Sequence, residues 1–414
     1  MLPSVPAAER PTGRWTLVAL ISTASFINYL DRGSLAVALP TISKELHLDP
    51  FQQGLALSAF FWTYTAMQIP MGRMVDRYNI RTLYALSFGL WSLAAAATGL
   101  VTGLWTLVAA RVLLGLGESV YLPGGLKVVS LHFRSEETAW PAGLFDLGTK
   151  VGLAVGTAVD VWLLVRYGWR SLFFRTGLAG LLWLIPWLMF YPASRGTAPE
   201  VRRRIDWRAL FRSRALLGIC LGFFCWDYFW YFLISWLPSY LSTVRHMSLP
   251  KIALFGGLPF LIFAAAEAVG GWTAGTMIRK GRPLSAVTKG YVAAGFAVGL
   301  LIIPAAVVDS SIASVGFLFA ASVAGIGCGS LISIPKMCAR EDELALWVGI
   351  MNAAGNLGGV IAPLVTGVVI QKTGSYVPAF LIVAMILVVG IFAYTVVVPS
   401  LDGLSQPHSR LAPL

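Results

Sequence analysis

The sequence has 414 residues, of which 57% are hydrophobic and 12% are charged, and its mean hydropathy is +0.74. A soluble domain carries about 25% charged residues, so this chain cannot cover itself with a water-facing surface. A net charge of +12 would suggest a nucleic-acid partner for a soluble protein, but this composition excludes that class. The apolar runs are too long and too uniform for barrel strands, which predicts an all-α polytopic membrane protein in the lipid bilayer.

Apolar runs of membrane-spanning length recur along the whole chain, and we predict about twelve transmembrane helices. They lie near residues 14–38, 53–73, 82–102, 105–131, 138–165, 169–191, 215–241, 251–277, 285–308, 312–337, 344–371 and 376–398. The first run is too long for a cleavable signal peptide and contains charged residues, which favours a membrane span.

Basic residues are distributed unequally between the two sides of these predicted helices. Arg73, Arg77 and Arg81 occupy the joint after the second helix, and seven arginines lie between residues 195 and 214. Positively charged loops stay in the cytoplasm, so we expect both chain termini on that side. The predicted location is a bacterial inner (plasma) membrane.

The arginine-rich stretch 192–214 divides the chain into two regions, 1–191 and 215–414, and we interpret it as a cytoplasmic linker between two bundles. The regions repeat each other weakly: residues 143–152 align without gaps on residues 349–358, and Gly168 and Gly374 begin similar joints. A parallel repeat of this kind is typical of transporters whose binding site lies at the midplane between the repeats.

Several stretches resemble a known family. The joint Gly72-Arg73-Met74-Val75-Asp76-Arg77-Tyr78-Asn79-Ile80-Arg81 is similar to the loop motif of the major facilitator superfamily, with departures at Asn79 and Ile80. Within that superfamily, five further stretches resemble the anion:cation symporters, which carry sugar acids and other organic anions. They are Asn28-Tyr29-Leu30-Asp31-Arg32, Gln68-Ile69-Pro70, Arg111 with Glu118, Trp236-Leu237-Pro238-Ser239-Tyr240, and Gly355-Asn356-Leu357-Gly358-Gly359.

Arg32 and Arg111 are the predicted anion-binding residues. By helix rise, Arg32 lies roughly 25 Å from the inner start of its helix and Arg111 roughly 9 Å from the outer start of its own. These depths are similar in a hydrocarbon core about 30 Å thick, so the two guanidinium groups can clamp one carboxylate. The resemblance also implies that arginines at these positions meet the substrate. The alternative is a structural ion pair with another helix.

Asp31 and Glu118 are the predicted proton-coupling residues. Burial favours the neutral form of a carboxyl group and a nearby arginine favours its charged form, so an anion that engages the arginines promotes protonation. The resemblance implies acids at both positions; the alternative is a fixed ion pair between two helices. Tyr29 and Tyr64 lie at comparable depth and, by resemblance, contact substrate, and Asn356 is expected to bind substrate by a hydrogen bond.

Four further charges fit this pattern less well. Asp146 and Lys150 are four residues apart and can pair along one helix, or Lys150 can reach the cavity as a third cation. Asp227 and Glu267 are additional acids with no adjacent base. Together these residues leave open a substrate that carries an amino or other cationic group.

Gly72, Asp76, Arg77 and Arg81 are predicted to form a gating loop whose charge pairs hold the cytoplasmic side in one state of a transport cycle. Cysteine and histidine show no metal-ligand spacing, and no catalytic motif is present, so we expect no cofactor and no enzyme activity.

The sequence thus predicts a monomeric, proton-coupled symporter that imports a small organic anion, a sugar acid or another carboxylate, by alternating access. The alternative is an exchanger or exporter of zwitterionic or cationic small molecules.

Overall fold

The computed structural model describes residues 13–134, 137–192, 210, 212–340 and 343–402. All regular secondary structure in this part of the chain is helical, which confirms the prediction of an all-α protein. The α-helices are α1 (Arg14–Glu45), α2 (Pro50–Arg77), α3 (Ile80–Thr98), α4 (Leu104–Glu118), α5 (Tyr121–His132), α6 (Ala139–Leu181), α7 (Leu184–Phe190), α8 (Arg214–Thr243), α9 (Leu249–Arg279), α10 (Leu284–Gly299), α11 (Ile302–Val307), α12 (Ser311–Ser322), α13 (Cys328–Cys338), α14 (Leu344–Thr373) and α15 (Val377–Phe392). A 3₁₀ turn, Val323–Gly327, joins α12 to α13, and most of the predicted linker 192–214 lies outside the described residues.

Local signals fix the start of several helices. The Asp49 carboxylate accepts a hydrogen bond from the backbone N–H of Gln52, whose side chain accepts one from the backbone N–H of Asp49. This reciprocal capping satisfies donors at the start of α2, and Pro50 occupies a first-turn position where it removes no helical hydrogen bond. Ser213 caps α8 in a similar way through its side chain.

Among the described residues, nine helical segments are long and apolar enough to cross a membrane. One of them, residues 140–190, bends at Gly168. Helices α1 and α2 have 32 and 28 residues, which is ample length for a span, but they carry polar groups such as Asp31, Arg32 and Gln68 in their interiors.

The two joints that the sequence repeat pairs have similar backbone geometry. Gly168 has φ of 78° and Gly374 has φ of 66°. A side chain with a Cβ rarely adopts such angles, so glycine is needed at both turns. The repeat is therefore visible in the local conformation as well as in the sequence.

Helix α1 packs unusually close to α6. A methyl group added at Gly148 would lie 2.6 Å from the backbone oxygen of Ser22, and one at Gly152 would lie 2.5 Å from that of Phe26. One at Gly156 would lie 3.1 Å from the Cα of Leu30. Such contacts between small residues are how helices associate in a bilayer, where apolar side chains gain little by leaving lipid. They hold the charged segment of α1 against α6.

Helices α1–α7 meet helices α8–α15 mainly through two helix pairs, α2 with α14 and α6 with α9. We call the side of the molecule that contains Pro50 the Pro50 end and the opposite side, which contains Asp76, the Asp76 end. Near the Pro50 end, a methyl group added at Gly54 of α2 would lie 2.4 Å from the backbone oxygen of Pro363 in α14. One added at Gly257 of α9 would lie 2.6 Å from the backbone oxygen of Ala154 in α6.

At the Pro50 end the two groups of helices are in direct contact. Helix α8 is buried without interruption from Cys225 to Leu241, and the side-chain contacts between the groups extend inward to Lys150 with Glu267 and to Asn352 with Gln68. The structure is therefore closed at the Pro50 end.

Candidate substrate and proton site

The central feature of the site is an ion pair between α1 and α4. Nε of Arg32 donates a hydrogen bond of 2.9 Å to Oε2 of Glu118. Arg32 is 4% exposed and Glu118 is fully buried. Burying either charge alone costs several kcal/mol, so each stabilises the other, and removing one would leave an uncompensated charge.

Aromatic rings surround the arginines. The guanidinium carbon of Arg32 lies 4.3 Å from the ring centre of Tyr64 and 4.7 Å from those of Tyr29 and Phe60. The guanidinium carbon of Arg111 lies 5.2 Å from the same Phe60 ring. These are cation–π distances. The structure thus brings both predicted arginines and both predicted tyrosines to one place, with Phe60 shared between the arginines.

The two arginines line a small cavity that α8 closes. Phe60 and Phe61 of α2 contribute to the wall, and Tyr231 and Ser235 of α8 cover it. The cavity volume of about 10 Å³ is close to what one water molecule needs. A sugar acid would fit only if α8 moved away from the helices that carry the arginines.

Several hydrogen-bonding atoms of this cluster have no partner within the described residues. They are Nη2 of Arg32, Nε and Nη1 of Arg111, Oε1 of Glu118, and Oδ2 of Asp31. A buried donor without an acceptor is costly and calls for an explanation. Guanidinium donors held in this way are suited to an anion that supplies the acceptors.

Asp31 lies beside the ion pair. It is 3% exposed, and the charged groups that act on it are Glu118, Asp160 and Arg111. The base that acts on it is therefore Arg111 rather than its sequence neighbour Arg32, since adjacent helical residues point about 100° apart. Both predicted proton-coupling acids belong to one electrostatic cluster with both arginines.

Asn356 reaches the pocket through Tyr231. The Tyr231 hydroxyl donates to Oδ1 of Asn356 at 3.0 Å, and Nδ2 of Asn356 donates to the backbone oxygen of Asn352 at 2.8 Å. Asn356, which we predict to bind substrate, is thus hydrogen-bonded to protein groups in this conformation. It holds Tyr231, which lines the cavity directly.

Lys150 bridges α6 and α9. Its Nζ donates to Oδ2 of Asp146 within α6 and lies 3.2 Å from Oε2 of Glu267 in α9. The expected pair along one helix is present. In this conformation the ammonium group of Lys150 is paired with two acids, and it acts electrostatically on Tyr29, whose ring lies against Arg32. The role of Lys150 as a third cation for the substrate stays a prediction.

Asp227 lies on α8 near Gly355 of α14, where an added methyl group would be 2.3 Å from its Oδ2. Arg32 is the charged group that acts on it. Asp227 is 8% exposed, so it can act as an electrostatic counterpart to the arginine cluster from the C-terminal helices.

The predicted gating-loop residues Gly72, Asp76, Arg77 and Arg81 surround the turn between α2 and α3. Asp76 accepts a bond of 3.2 Å from Lys127 of α5. Arg81 donates to the backbone oxygen of Leu188, and its own backbone oxygen accepts a 2.9 Å bond from the indole of Trp187. These contacts stay within α1–α7 and tie the turn to α5 and α7.

Sequence reasoning missed three residues near the cluster. Phe60 and Ser235 gave no signal, since an aromatic ring or a serine in a membrane helix usually just packs. Asp160 did give one, because it is a lone acid within the apolar run Ala158-Val159-Asp160-Val161. An acid at membrane depth is a functional candidate by default.

The family model of the Major Facilitator Superfamily matches residues 21–340. The chain belongs to the major facilitator superfamily. Its relatives include the probable L-galactonate transporter of Escherichia coli K12, 32% identical over 92% of this chain and 88% of the relative. Another is the D-galactonate transporter of Escherichia coli O6:H1, 29% identical over 95% of this chain and 97% of the relative.

A solved structure shares the fold. It is that of a bacterial homologue of the human lysosomal transporter Spinster in an inward-facing and occupied conformation, with a TM-score of 0.79 and 19% identity over 94% of this chain and 97% of the other. The family and these relatives are transporters, so the protein is an integral membrane transporter and not an enzyme.

Proposed function

We propose that this major facilitator imports a small organic anion, of the sugar-acid class, together with protons. The observation that carries the proposal is the cluster of Arg32, Arg111, Glu118 and Asp31, buried around one aromatic ring with guanidinium donors left unpartnered. Two cations at one level in a membrane protein match a carboxylate in charge and geometry.

The ion pair supplies a coupling mechanism. A substrate carboxylate competes with Glu118 for the Arg32 guanidinium. Once Arg32 turns to the substrate, an ionised Glu118 is a buried charge with a weakened partner, so taking up a proton lowers its free energy. Asp31 stands in the same relation to Arg111. Anion and proton therefore bind together, and a proton gradient can drive anion uptake.

The substrate class rests on both the site and the relatives. The proteins named as galactonate transporters carry a substrate with one carboxylate and a chain of hydroxyl groups. For this chain, Tyr29, Tyr64, Tyr231 and Ser235 surround the arginines and offer hydroxyl partners for such a chain. Asn356 becomes available if substrate displaces its bond to Tyr231.

We further propose about twelve transmembrane helices in two bundles, 1–191 and 215–414, joined by the cytoplasmic linker 192–214. The nine apolar segments, the bend at Gly168 that divides one of them, and the length of α1 and α2 support this count. Both termini are cytoplasmic by the arginine distribution, so closure at the Pro50 end is closure toward the outside. The carrier functions as a monomer in the inner membrane of a bacterium.

The alternative of an exchanger or exporter for cationic or zwitterionic compounds rested on surplus acids. Two of these, Asp146 and Glu267, are engaged by Lys150, which leaves Asp227 as the acid free to attract a cationic group. The arrangement favours the anion carrier.

The deciding experiment is uptake into proteoliposomes of purified protein. We expect labelled galactonate, glucarate or galacturonate to accumulate when an inward proton gradient is imposed, and to stop accumulating when a protonophore collapses it. Galactitol, which has the hydroxyl chain without the carboxylate, is the matched substrate control. If the gradient drives no accumulation of any carboxylate in the panel, the symport proposal is wrong.

Glu118→Gln separates binding from coupling. The amide keeps the shape of the neutral acid but cannot exchange a proton. We expect this variant to exchange labelled for unlabelled substrate across the membrane while failing to accumulate it against a gradient. Normal gradient-driven accumulation by Glu118→Gln would contradict its role as a proton carrier.

A further inference from the structure

Helix α6 contains a buried acid, Asp160, outside the arginine pocket. It is fully buried where α6 packs against α1, and its Oδ2 lies 3.0 Å from Oγ of Ser34. Its Oδ1 has no partner among the described residues. An ionised carboxylate that has a single hydroxyl as its partner, away from water, is strongly disfavoured.

The tight packing of the two helices keeps water away from this acid. Asp160 continues the row Gly148, Gly152 and Gly156 at four-residue spacing, so it lies on the face of α6 that contacts α1. Across the interface, Ser34 continues the equally spaced row Ser22, Phe26 and Leu30. The added methyl groups at the three glycines would lie only 2.5 to 3.1 Å from α1 atoms, so no water layer fits between the helices along this row.

The contacts of Ser34 indicate that Asp160 is protonated. Oγ of Ser34 lies 2.9 Å from the backbone oxygen of Leu30 as well as 3.0 Å from Oδ2 of Asp160. An ionised carboxylate and a carbonyl are both acceptors, and a serine hydroxyl has one proton to donate. If Asp160 carries a proton, it donates to Ser34, and Ser34 donates to Leu30. Both short contacts are then hydrogen bonds.

The charged groups around Asp160 also favour its protonated form. From α1, Asp31 is close enough for the two acids to repel, and α9 presents glycines, Gly256 at Thr157 and Gly257 at Ala154. On α6 itself, Lys150 lies ten residues earlier and is held by two other acids. Helix α3 packs against the later part of α6, beyond Gly168, where Gly177 meets Ala96.

The charge balance of the arginine cluster points the same way. Arg32 and Arg111 already have Glu118 and Asp31 as counter-charges, and Asp227 is a further acid on which Arg32 acts. An ionised Asp160 would therefore add to the negative charge of a buried region.

We propose that Asp160 is a proton-binding site that positions α1: with its proton it bonds through Ser34 and holds α1 against α6, and without it α1 loosens. Because α1 carries Arg32, loss of this proton disorders the arginine pocket and weakens anion binding at alkaline pH. Asp160 is thus a positioning residue, and its role rests on the proposed anion site but not on proton symport.

Infrared spectroscopy of the purified protein tests the protonation itself. At near-neutral pH, the wild-type-minus-Asp160→Asn difference spectrum should contain the carbonyl band of a protonated carboxylic acid, shifted in D₂O. Asp309, an exposed acid, provides the control, since Asp309→Asn should leave that protonated-acid band in place. Loss of ionised-carboxylate bands from Asp160→Asn would overturn the proposal whether or not the protein proves to be a symporter.

Anion binding without a gradient tests the consequence. The Asp160→Asn amide can donate to Ser34 as the protonated acid does, so we expect affinity within about threefold of wild type at near-neutral pH. At alkaline pH all three proteins lose the affinity that depends on protons at Glu118 and Asp31, and the wild type and Asp309→Asn should lose about tenfold or more in addition to what Asp160→Asn loses. Identical pH profiles for all three proteins would show that Asp160 has no role in positioning α1.

A second variant covers the case in which Asp160→Asn does not fold. Ser34→Ala removes the hydroxyl that accepts the acid proton, so the protonated-acid band should move to the frequency of a weaker hydrogen bond. An infrared spectrum identical to that of the wild type would mean that Asp160 does not share a proton with Ser34.

Discussion

Among the described residues, two clusters of charged side chains lie within the helix bundle, and they differ in how completely their polar atoms are paired. Arg32 and Glu118 pair within α1–α7, next to Arg111 and Asp31, and each of these four side chains retains at least one buried atom without a partner. In the second cluster, the ammonium group of Lys150 has carboxylates on both sides. The first cluster keeps buried polar atoms available for a ligand, whereas the charge of Lys150 in the second cluster is compensated by two acids.

The clusters also differ in the helices that they connect. The arginine cluster lies on helices of one group, so relative movement of the two groups leaves it together. Lys150 and Glu267 lie on different groups, α6 and α9, so separation of these helices must break their ion pair. We infer that the first cluster handles substrate and protons and the second stabilises the conformation closed at the Pro50 end.

Of the substitutions that test the two clusters, Arg111→Ala should have the largest effect. It removes unpartnered guanidinium donors and leaves the acids of the cluster undercompensated, so substrate affinity should fall by about 100-fold or more. A thermal-shift or calorimetric titration with galactonate measures the loss. The control is Arg175→Ala, which changes a surface arginine that stacks on Tyr167 and should bind substrate normally. Wild-type affinity in Arg111→Ala would show that Arg111 does not bind the substrate.

Lys150→Met should reduce transport by roughly tenfold while changing substrate affinity less. Without the ammonium group, Asp146 and Glu267 face each other as like charges, which destabilises the contact between α6 and α9. Initial uptake rates and binding affinity, measured on the same preparation, separate the two effects.

A second substitution checks the cause. Lys150→Met combined with Glu267→Gln removes the repulsion, so this double variant should transport faster than Lys150→Met alone. A double variant that is slower than the single one would show that the lysine does not act through Glu267.

Asn352→Ala should have the smallest effect. Asn352 and Asn356 hold the positions on α14 that Asp146 and Lys150 hold on α6, but Nδ2 of Asn352 donates only one long bond, 3.4 Å, to Gln68 across the interface. A neutral hydrogen bond contributes about 1 kcal/mol, so uptake should change by less than about fivefold. A defect as large as that of Lys150→Met would mean that the amide contact also controls closure.

The fold was largely predictable because lipid imposes simple rules. Long apolar runs must be helical, because every backbone polar group in lipid needs a partner within the segment. The depth comparison of Arg32 and Arg111 needed only the rise per residue of a helix, and the structure places both beside Phe60. The joints at Gly168 and Gly374 followed from a repeat that is visible in the sequence.

The partner of each buried charged side chain was not predictable from the sequence. Arg32 bonds to Glu118, 86 positions away in the chain, Lys150 reaches Glu267 on another helix, and Asp160 bonds to Ser34. Each pairing depends on which faces of two distant helices meet. In a soluble protein an apolar stripe would mark the inner face, but in a membrane the lipid-facing side is apolar too, so periodicity does not reveal helix rotation.

By itself the sequence determined that a few charges are carried at membrane depth, because their cost sets them apart from every apolar neighbour. It thereby identified Asp31, Arg32, Arg111 and Glu118. Only the tertiary structure decided that Glu118 holds Arg32, that α8 closes the pocket, and that Asp160 has one hydroxyl as its partner. The physical reason is that a charge is recognisable from its residue type alone, whereas its partner is set by the packing of whole helices.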